Sequence, residues 1–373
     1  MAQVNISEAS KIGGWLLAAF AITQFVFSPL MGNLSDKYGR RPILLATLFA
    51  FALDYLLLAF APNLGWLFAG RIIAGITGAS FSTASAYIAD ISSPEDRAKN
   101  FGMIGAAFGL GFVIGPGIGG LLGGLGTRVP FMVAAGLCFL NFLYGFFILP
   151  ESLKPENRRS FEWRRTIPGV SIINLRKYPA IIGLIIALIL VYLGGHAVQT
   201  NWSYFTIERF KWTPGMIGIS LTVVGVLVGA VQAGLTRIVN PRLGNEKSIY
   251  IGLALYALGM FLFAFATQSW MMFAFLVPYC LGGICGPALQ SIMVGHVPAN
   301  EQGELQGSLS GLMSLTTIIG PLLMTNTFAY FTGKTAPFYF PGSSFLLGAI
   351  LMIASAIIAY YSLHVKPARA RAN

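Results

Sequence analysis

The sequence predicts an all-α polytopic membrane protein with eleven membrane-crossing helices, and three observations predict it. First, the 373-residue chain is 55% hydrophobic and only 10% charged, with a mean hydropathy of +0.72, whereas a soluble domain carries about 25% charged residues. Second, a hydrocarbon core about 30 Å thick needs about 20 apolar residues per helix. Eleven such runs can be placed, at 12–31, 42–61, 66–89, 101–122, 130–149, 179–200, 213–239, 248–267, 270–294, 305–330 and 338–363. Third, the runs are continuous and glycine-rich, as membrane helices often are, and lack the ten-residue alternating segments of an outer-membrane barrel.

The connections orient the runs. With the turn at 32–42 placed in the cytoplasm, 18 of the 24 Lys and Arg fall in cytoplasmic segments and five in outer segments, and Arg71 lies inside a span. The positive-inside rule then puts the C-terminus in the cytoplasm and the N-terminus outside. The net charge of +11 is thereby a matter of topology, and nucleic acid is not an expected partner.

Between the first two runs lies GNLSDKYGRRP. Gly32 and Gly39 permit tight backbone geometry, and Asp36 can complement the positive N-terminus of a neighbouring helix. Arg40 and Arg41 can pair with acids at nearby helix ends, with Asp90 at the end of the 66–89 run the evident partner. Topology alone explains the arginines, but neither Asp36 nor the glycine spacing.

The runs at 42–61 and 66–89 carry Asp54 and Arg71, each roughly 8–10 Å below the outer boundary at 1.5 Å rise per residue. Each charge costs about 2.5–3.5 kcal/mol at the bilayer centre on insertion scales, and such residues are functional by default. Equal depth on consecutive antiparallel helices allows a pair, either structural or one in which Asp54 carries a proton beside Arg71. The 101–122 run holds Gly105, Gly109, Gly111, Gly115, Pro116, Gly119 and Gly120. Glycines at four-residue spacing let another helix backbone approach, and the proline removes a helix hydrogen bond.

After the 130–149 run, 150–178 holds Pro150, Pro155, Pro168 and seven basic residues and reads as a cytoplasmic connector. Phe161, Trp163 and Ile167 beside Arg164 and Arg165 could form an amphipathic surface helix or a plain solvated linker. Gln24, Asn141, His196, Gln199, Gln232 and Gln290 are neutral polar residues within apolar runs and are candidates for a substrate cavity, because lipid-facing amides are costly. Cys138, Cys280 and Cys285 fall within spans without metal or disulfide spacing and read as packing groups. No metal site and no cofactor are expected.

The chain repeats at an offset of 205 residues. Phe51-Ala52-Leu53 answers Tyr256-Ala257-Leu258, Ala59-Phe60-Ala61 answers Ala264-Phe265-Ala266, and Gly39, Gly78 and Gly115-Pro116 answer Gly244, Gly283 and Gly320-Pro321. Parallel repeats are one known transporter plan. The second half has six runs and the first five, so the sequence reads as lacking its opening helix; a native eleven-helix protein is the other reading.

These residues carry a resemblance. The turn GNLSDKYGRRP resembles the loop between helices 2 and 3 of the major facilitator superfamily, and Gly115-Pro116 with Gly119-Gly120 resembles its antiporter motif. GRIIAGITGAS, YIADISSPEDRAKNFG, LPESL, FTIERFKW and GPALQSIM are similar, in order, to the tetracycline-efflux branch of drug:proton antiporters. The resemblance implies two pseudo-symmetric bundles holding eleven of twelve helices: 1–149 with helices 2–6, linker 150–178, and 179–373 with helices 7–12. It implies a charge latch of Asp36, Arg40 and Asp90, and proton coupling at Asp54 and Arg71. Three departures stand out. The acidic residue of the first helix is absent with that helix, Gly259 occupies the repeat position of Asp54 in a run without acids, and Val228 lies near the branch's helix-8 histidine. The resemblance therefore speaks more firmly for an exporter than for tetracycline itself.

The expected protein is not an enzyme. It is a monomeric secondary transporter of the cell (inner) membrane whose partners are the bilayer, a small amphipathic substrate and the proton. A nutrient facilitator or importer, or a transport-inactive membrane protein, are the alternatives.

Overall fold

The computed structural model describes residues 5–93, 97–161, 181–297 and 302–370. Among these residues every regular element is helical. Helix α1 spans Ile6–Tyr38, α2 Arg40–Phe60, α3 Leu64–Gly78, α4 Phe81–Ile91, α5 Arg97–Leu125 and α6 Val129–Ile148. The second series is α7 Ile182–Phe210, α8 Pro214–Ala230, α9 Thr236–Leu243, α10 Asn245–Ala264, α11 Ser269–Leu281, α12 Cys285–Gly295, α13 Gln302–Thr332 and α14 Ser343–Ala370. Ten helical stretches among the described residues are long and apolar enough to cross a membrane, and α5 adds the apolar helix Gly109–Leu125. The protein is a multi-pass all-α membrane protein.

Three apolar runs that read as single helices are irregular. Helices α3 and α4 part at Ala79 and Ser80, α11 and α12 are separated by the 3-10 turn Gly282–Ile284, and α8 passes into α9 through the π turn Val231–Leu235. The α3–α4 and α11–α12 breaks occupy corresponding places in the repeat. Helices α2 and α10 begin at Arg40 and Asn245, and α3 and α11 at Leu64 and Ser269, each pair 205 residues apart. Gly39 and Gly244, which precede α2 and α10, both adopt positive φ, 104° and 79°, with ψ 158°. That region is essentially open to glycine alone, so the repeat extends to backbone geometry.

Contacts divide the chain into two compact units, Leu16–Pro168 and Met1–Trp15 with Gly169–Asn373. The first turns of α1 count with the second unit. There Ser7 Oγ and Thr332 Oγ1 are 2.9 Å apart, and Gly13 and Gly14 face Tyr204 and Thr325. Trp163, Arg164, Arg165 and Ile167 lie outside the described residues.

In the first unit α2 packs on α6, with the Phe49 and Phe142 rings 5.2 Å apart and Leu45 against Gly145. In the second unit Trp202, Phe205, Phe263 and Phe345 form an aromatic core. The Trp202 and Phe263 rings meet edge-on at 5.2 Å, and Trp202 Nε1 donates to Ser220 Oγ at 2.8 Å. A Cβ on Gly259 would lie 2.7 Å from the Tyr279 backbone, so this glycine lets α10 and α11 close together. Phe147, Leu140 and Ile350 are among many exposed apolar side chains, as suits a lipid-facing surface.

Candidate functional site

Two charged clusters stand out, both within the first unit. The first gathers on the α1–α2 turn. Arg40 opens α2, and its side chain is only 10% exposed. Its guanidinium donates to the Asp36 carboxylate, to Ser35 Oγ at 2.6 Å and, through Nε, to Asp90 Oδ2 at 3.2 Å. Ser152 Oγ donates to the same Asp90 oxygen at 3.1 Å. Arg40 thus bridges the end of α1 to the end of α4. Planar guanidinium geometry permits this double contact, and a lysine ammonium has no equivalent fork.

Glu151, just after α6, completes the cluster. Gly39 offers α2 no capping side chain. Instead the Glu151 carboxylate accepts from the Arg40 and Arg41 backbone N–H groups at 2.9 and 3.2 Å, and from Leu153 N at 3.0 Å. An anion at a helix N-terminus satisfies orphan donors and complements the helix dipole. A Cβ on Gly39 would collide with this carboxylate. Arg41 turns the other way. Its Nε and Nη2 donate to Leu149 O and Phe146 O at 2.7 and 2.6 Å, closing the C-terminal end of α6. Gly32 lies on the last turns of α1, near Ser82. A cavity of about 680 Å³ lies against the cluster, lined by Asp36, Arg40 and Asp90 and by Arg158 and Arg159 of the connector.

The second cluster is inside the spans. Asp54 on α2 is 1% exposed, and Arg71 Nη2 on α3 approaches its Oδ2 at 3.9 Å. The structure thus brings together the two charges that equal depth suggested. The contact is ionic without a hydrogen bond, and both Asp54 oxygens lack a hydrogen-bond partner among the described residues. Gly70 makes the room, because a Cβ there would come 3.1 Å from Asp54 Oδ1 and closer still to Leu58. In the second half the matching position is Gly259, so the pair has no repeat counterpart.

The other expected residues are dispersed. Gln24 Nε2 donates to Gly78 O at 3.2 Å, tying α1 to the α3–α4 break. His196 is buried on α7 against Gly320. Asn141, Gln199 and Gln232 are exposed and Gln290 is half-buried. Gly105 and Gly120 lie on α5 with Pro116 inside it. A Cβ at Gly109, Gly111, Gly115 or Gly119 meets no atom within 4 Å. The close helix approach expected of this stripe is therefore not made here, because nothing described packs against that face. Sequence reasoning missed Glu151, Ser35 and Gly70. Glu151 follows an apolar run directly, a position from which an acid can reach a neighbouring helix start, whereas Gly70 carried no signal beyond its place beside Arg71.

Comparison with known proteins adds four findings. The Major Facilitator Superfamily model matches residues 1–251 and 184–373. The tetracycline resistance protein, class C, of Escherichia coli is 45% identical over 85% of this chain and 80% of its own length. Multidrug resistance protein 2 of Bacillus subtilis (strain 168) is 30% identical over 83% of this chain and 78% of its own. The crystal structure of a D-xylose–proton symporter matches with TM-score 0.74 at 17% identity, covering 97% of this chain and 89% of that one, which speaks to the fold alone.

Proposed function

The chain belongs to the major facilitator superfamily of transporters, and from that premise we propose that it exports small amphipathic compounds, tetracycline-like drugs among them, in exchange for protons. The observation that carries this reading is the buried Asp54 carboxylate, paired with Arg71 yet without a hydrogen bond, in a chain so similar to drug-resistance proteins. An intramembrane acid with one cationic neighbour and open hydrogen-bonding capacity suits a proton relay. A proton taken up by Asp54 cancels the anion that holds Arg71, and α2 and α3 lose their ionic tie. Proton release restores it.

The turn cluster acts as the latch of the same cycle. Arg40 holds Asp36 and Asp90 together in one state and releases one of them in another, while Glu151 keeps the start of α2 in place. Residues 1–149 and 179–373 act as the two bundles of an alternating-access transporter joined by 150–178. The glycine face of α5 (Gly105, Gly109, Gly111, Gly115, Gly119 and Gly120, with Pro116) serves as the antiporter motif. Gln24, Asn141, His196, Gln199, Gln232 and Gln290 are the polar residues from which the substrate path draws. The protein resides in the inner membrane as a monomer, with the α1–α2 turn and the C-terminus in the cytoplasm, and uses no cofactor or metal.

Purified protein in liposomes tests the reading. An acid-inside pH gradient is expected to drive accumulation of tetracycline in the lumen, and a protonophore to abolish it. Equilibration that ignores the gradient would instead indicate a facilitator.

A further inference from the structure

We propose that the π turn Val231–Leu235 and the 3-10 turn Gly282–Ile284 together form a polar substrate subsite within the second unit, with Gln232 and Tyr256 as its hydrogen-bonding residues. The proposal rests on the export reading above and specifies where one part of the substrate is held.

The two irregular turns meet. A Cβ on Gly283 would lie 3.6 Å from Val231 Cγ1, 3.6 Å from Gln232 Nε2 and 3.7 Å from Tyr256 Oη. An amide and a phenol therefore converge on one point of the 3-10 turn, at Gly283, whose own backbone is buried. Neither Gln232 nor the Tyr256 hydroxyl has a hydrogen-bond partner among the described residues. All three positions lie well inside their spans, Pro214–Leu243, Asn245–Ala264 and Ser269–Gly295. At such depth there is no bulk water to satisfy a free polar group, and leaving one unbonded is costly.

The repeat supplies the internal control. In the first unit the corresponding break at Gly78 is closed, because Gln24 Nε2 donates to Gly78 O. The residue answering Tyr256 there is Phe51, which has no hydroxyl. The residue answering Gln232 is Phe27, so the first bundle has neither group at the matching places and closes its break with Gln24 instead, whereas the second has an amide and a phenol without partners among the described residues. The surface around the free pair is open, since a Cβ at Gly229 or Gly286 meets nothing within 4 Å and Gln232 is exposed. π bulges recur at functional sites, and interrupted helices at matching places in two halves are a pointer to transporter binding sites.

The chemistry selects a class of ligand group. The site offers an amide and a phenol as neutral donors and acceptors, with the Tyr279 ring set edge-on to Tyr256 at 5.2 Å. No charged side chain belongs to the pair. It suits the carbonyl and hydroxyl edge of a planar ring system, held by hydrogen bonds with its face against aromatic rings.

The test measures gradient-driven tetracycline transport in proteoliposomes for Tyr256→Phe and Gln232→Leu, with Tyr250→Phe, which removes a phenol oxygen near the start of α10 and outside the pair, as a control. Tyr256→Phe removes one oxygen and keeps the packing, so it remains informative if Gln232→Leu fails to fold. Each of the first two is expected to raise KM roughly three- to tenfold with Vmax retained, as the loss of one neutral hydrogen bond implies. Tyr250→Phe is expected to leave KM near wild type. Unchanged KM in both variants, or a fall in Vmax alone, overturns the subsite while wild-type export stands. Wild-type protein that neither binds nor moves tetracycline overturns the export reading and the subsite with it.

Discussion

Alanine at Gly39 and at Gly244 should have unequal costs, and the difference isolates the contribution of Glu151. Both glycines precede a helix in the same left-handed geometry, φ 104° and 79° with ψ 158°. Any side chain there costs about 1–3 kcal/mol in backbone strain. At Gly244 that is the whole cost, because a Cβ meets nothing within 4 Å. At Gly39 the Cβ also displaces the Glu151 carboxylate from the Arg40 and Arg41 N–H groups. Loss of a helix N-cap adds about 0.5–2 kcal/mol. Thermal unfolding of the purified protein in detergent, at one fixed scan rate, reads the difference. Gly39→Ala is expected to melt about 1–3 °C below Gly244→Ala, at roughly 1.3 °C per kcal/mol for a chain of 373 residues. Equal melting points, or a lower one for Gly244→Ala, would refute the capping argument.

Other outcomes follow from the same geometry. Arg40→Ala leaves Asp36 and Asp90, both partly exposed, without their shared cation, and should destabilise the protein by about 1–3 kcal/mol, read as a loss of folded protein in a thermal shift assay. Arg40→Lys cannot span both acids and should recover only part of that. Lys211 adopts φ 56° at the C-terminal end of α7 and makes only an exposed pair with Glu208 at 3.8 Å. Lys211→Gly should therefore raise the melting temperature by the equivalent of about 1 kcal/mol. Tyr339, in the loop between α13 and α14, is pushed up to about 12 by burial and by its hydrogen bond to Glu208. A tyrosine pKa above its unfolded value of 10.0 stabilises below pH 10 and loses that contribution as pH rises towards 12. Melting curves from pH 9 to 12 should show a larger loss in the wild type than in Tyr339→Phe.

Much of this architecture was legible in the sequence because a membrane imposes its thickness on the chain. Apolar runs of about 20 residues could hardly be anything but helices. The Asp54–Arg71 pair was legible for a related reason. Two charges at equal depth on consecutive helices have few other partners, and the structure sets them 3.9 Å apart. The breaks at Ala79–Ser80 and Gly282–Ile284 were not legible, because neither carries a proline and glycine is common in membrane helices. Glu151 was missed because its role depends on a helix start 111 residues earlier in the chain. The glycine stripe of α5 shows the opposite limit. Four-residue spacing permits a close approach, but whether a second helix occupies the space is a property of tertiary packing, and at Gly109, Gly111, Gly115 and Gly119 no described residue comes within 4 Å of where a Cβ would be.

The central claim is that Asp54 couples protons to export, and Asp54→Asn tests it most directly. The amide is nearly isosteric, removes the charge facing Arg71 and cannot titrate. In liposomes with an acid-inside gradient, the variant is expected to be folded and monodisperse, to bind tetracycline, and to accumulate none of it against a concentration gradient. Gradient-driven accumulation by Asp54→Asn at the wild-type rate would contradict the account.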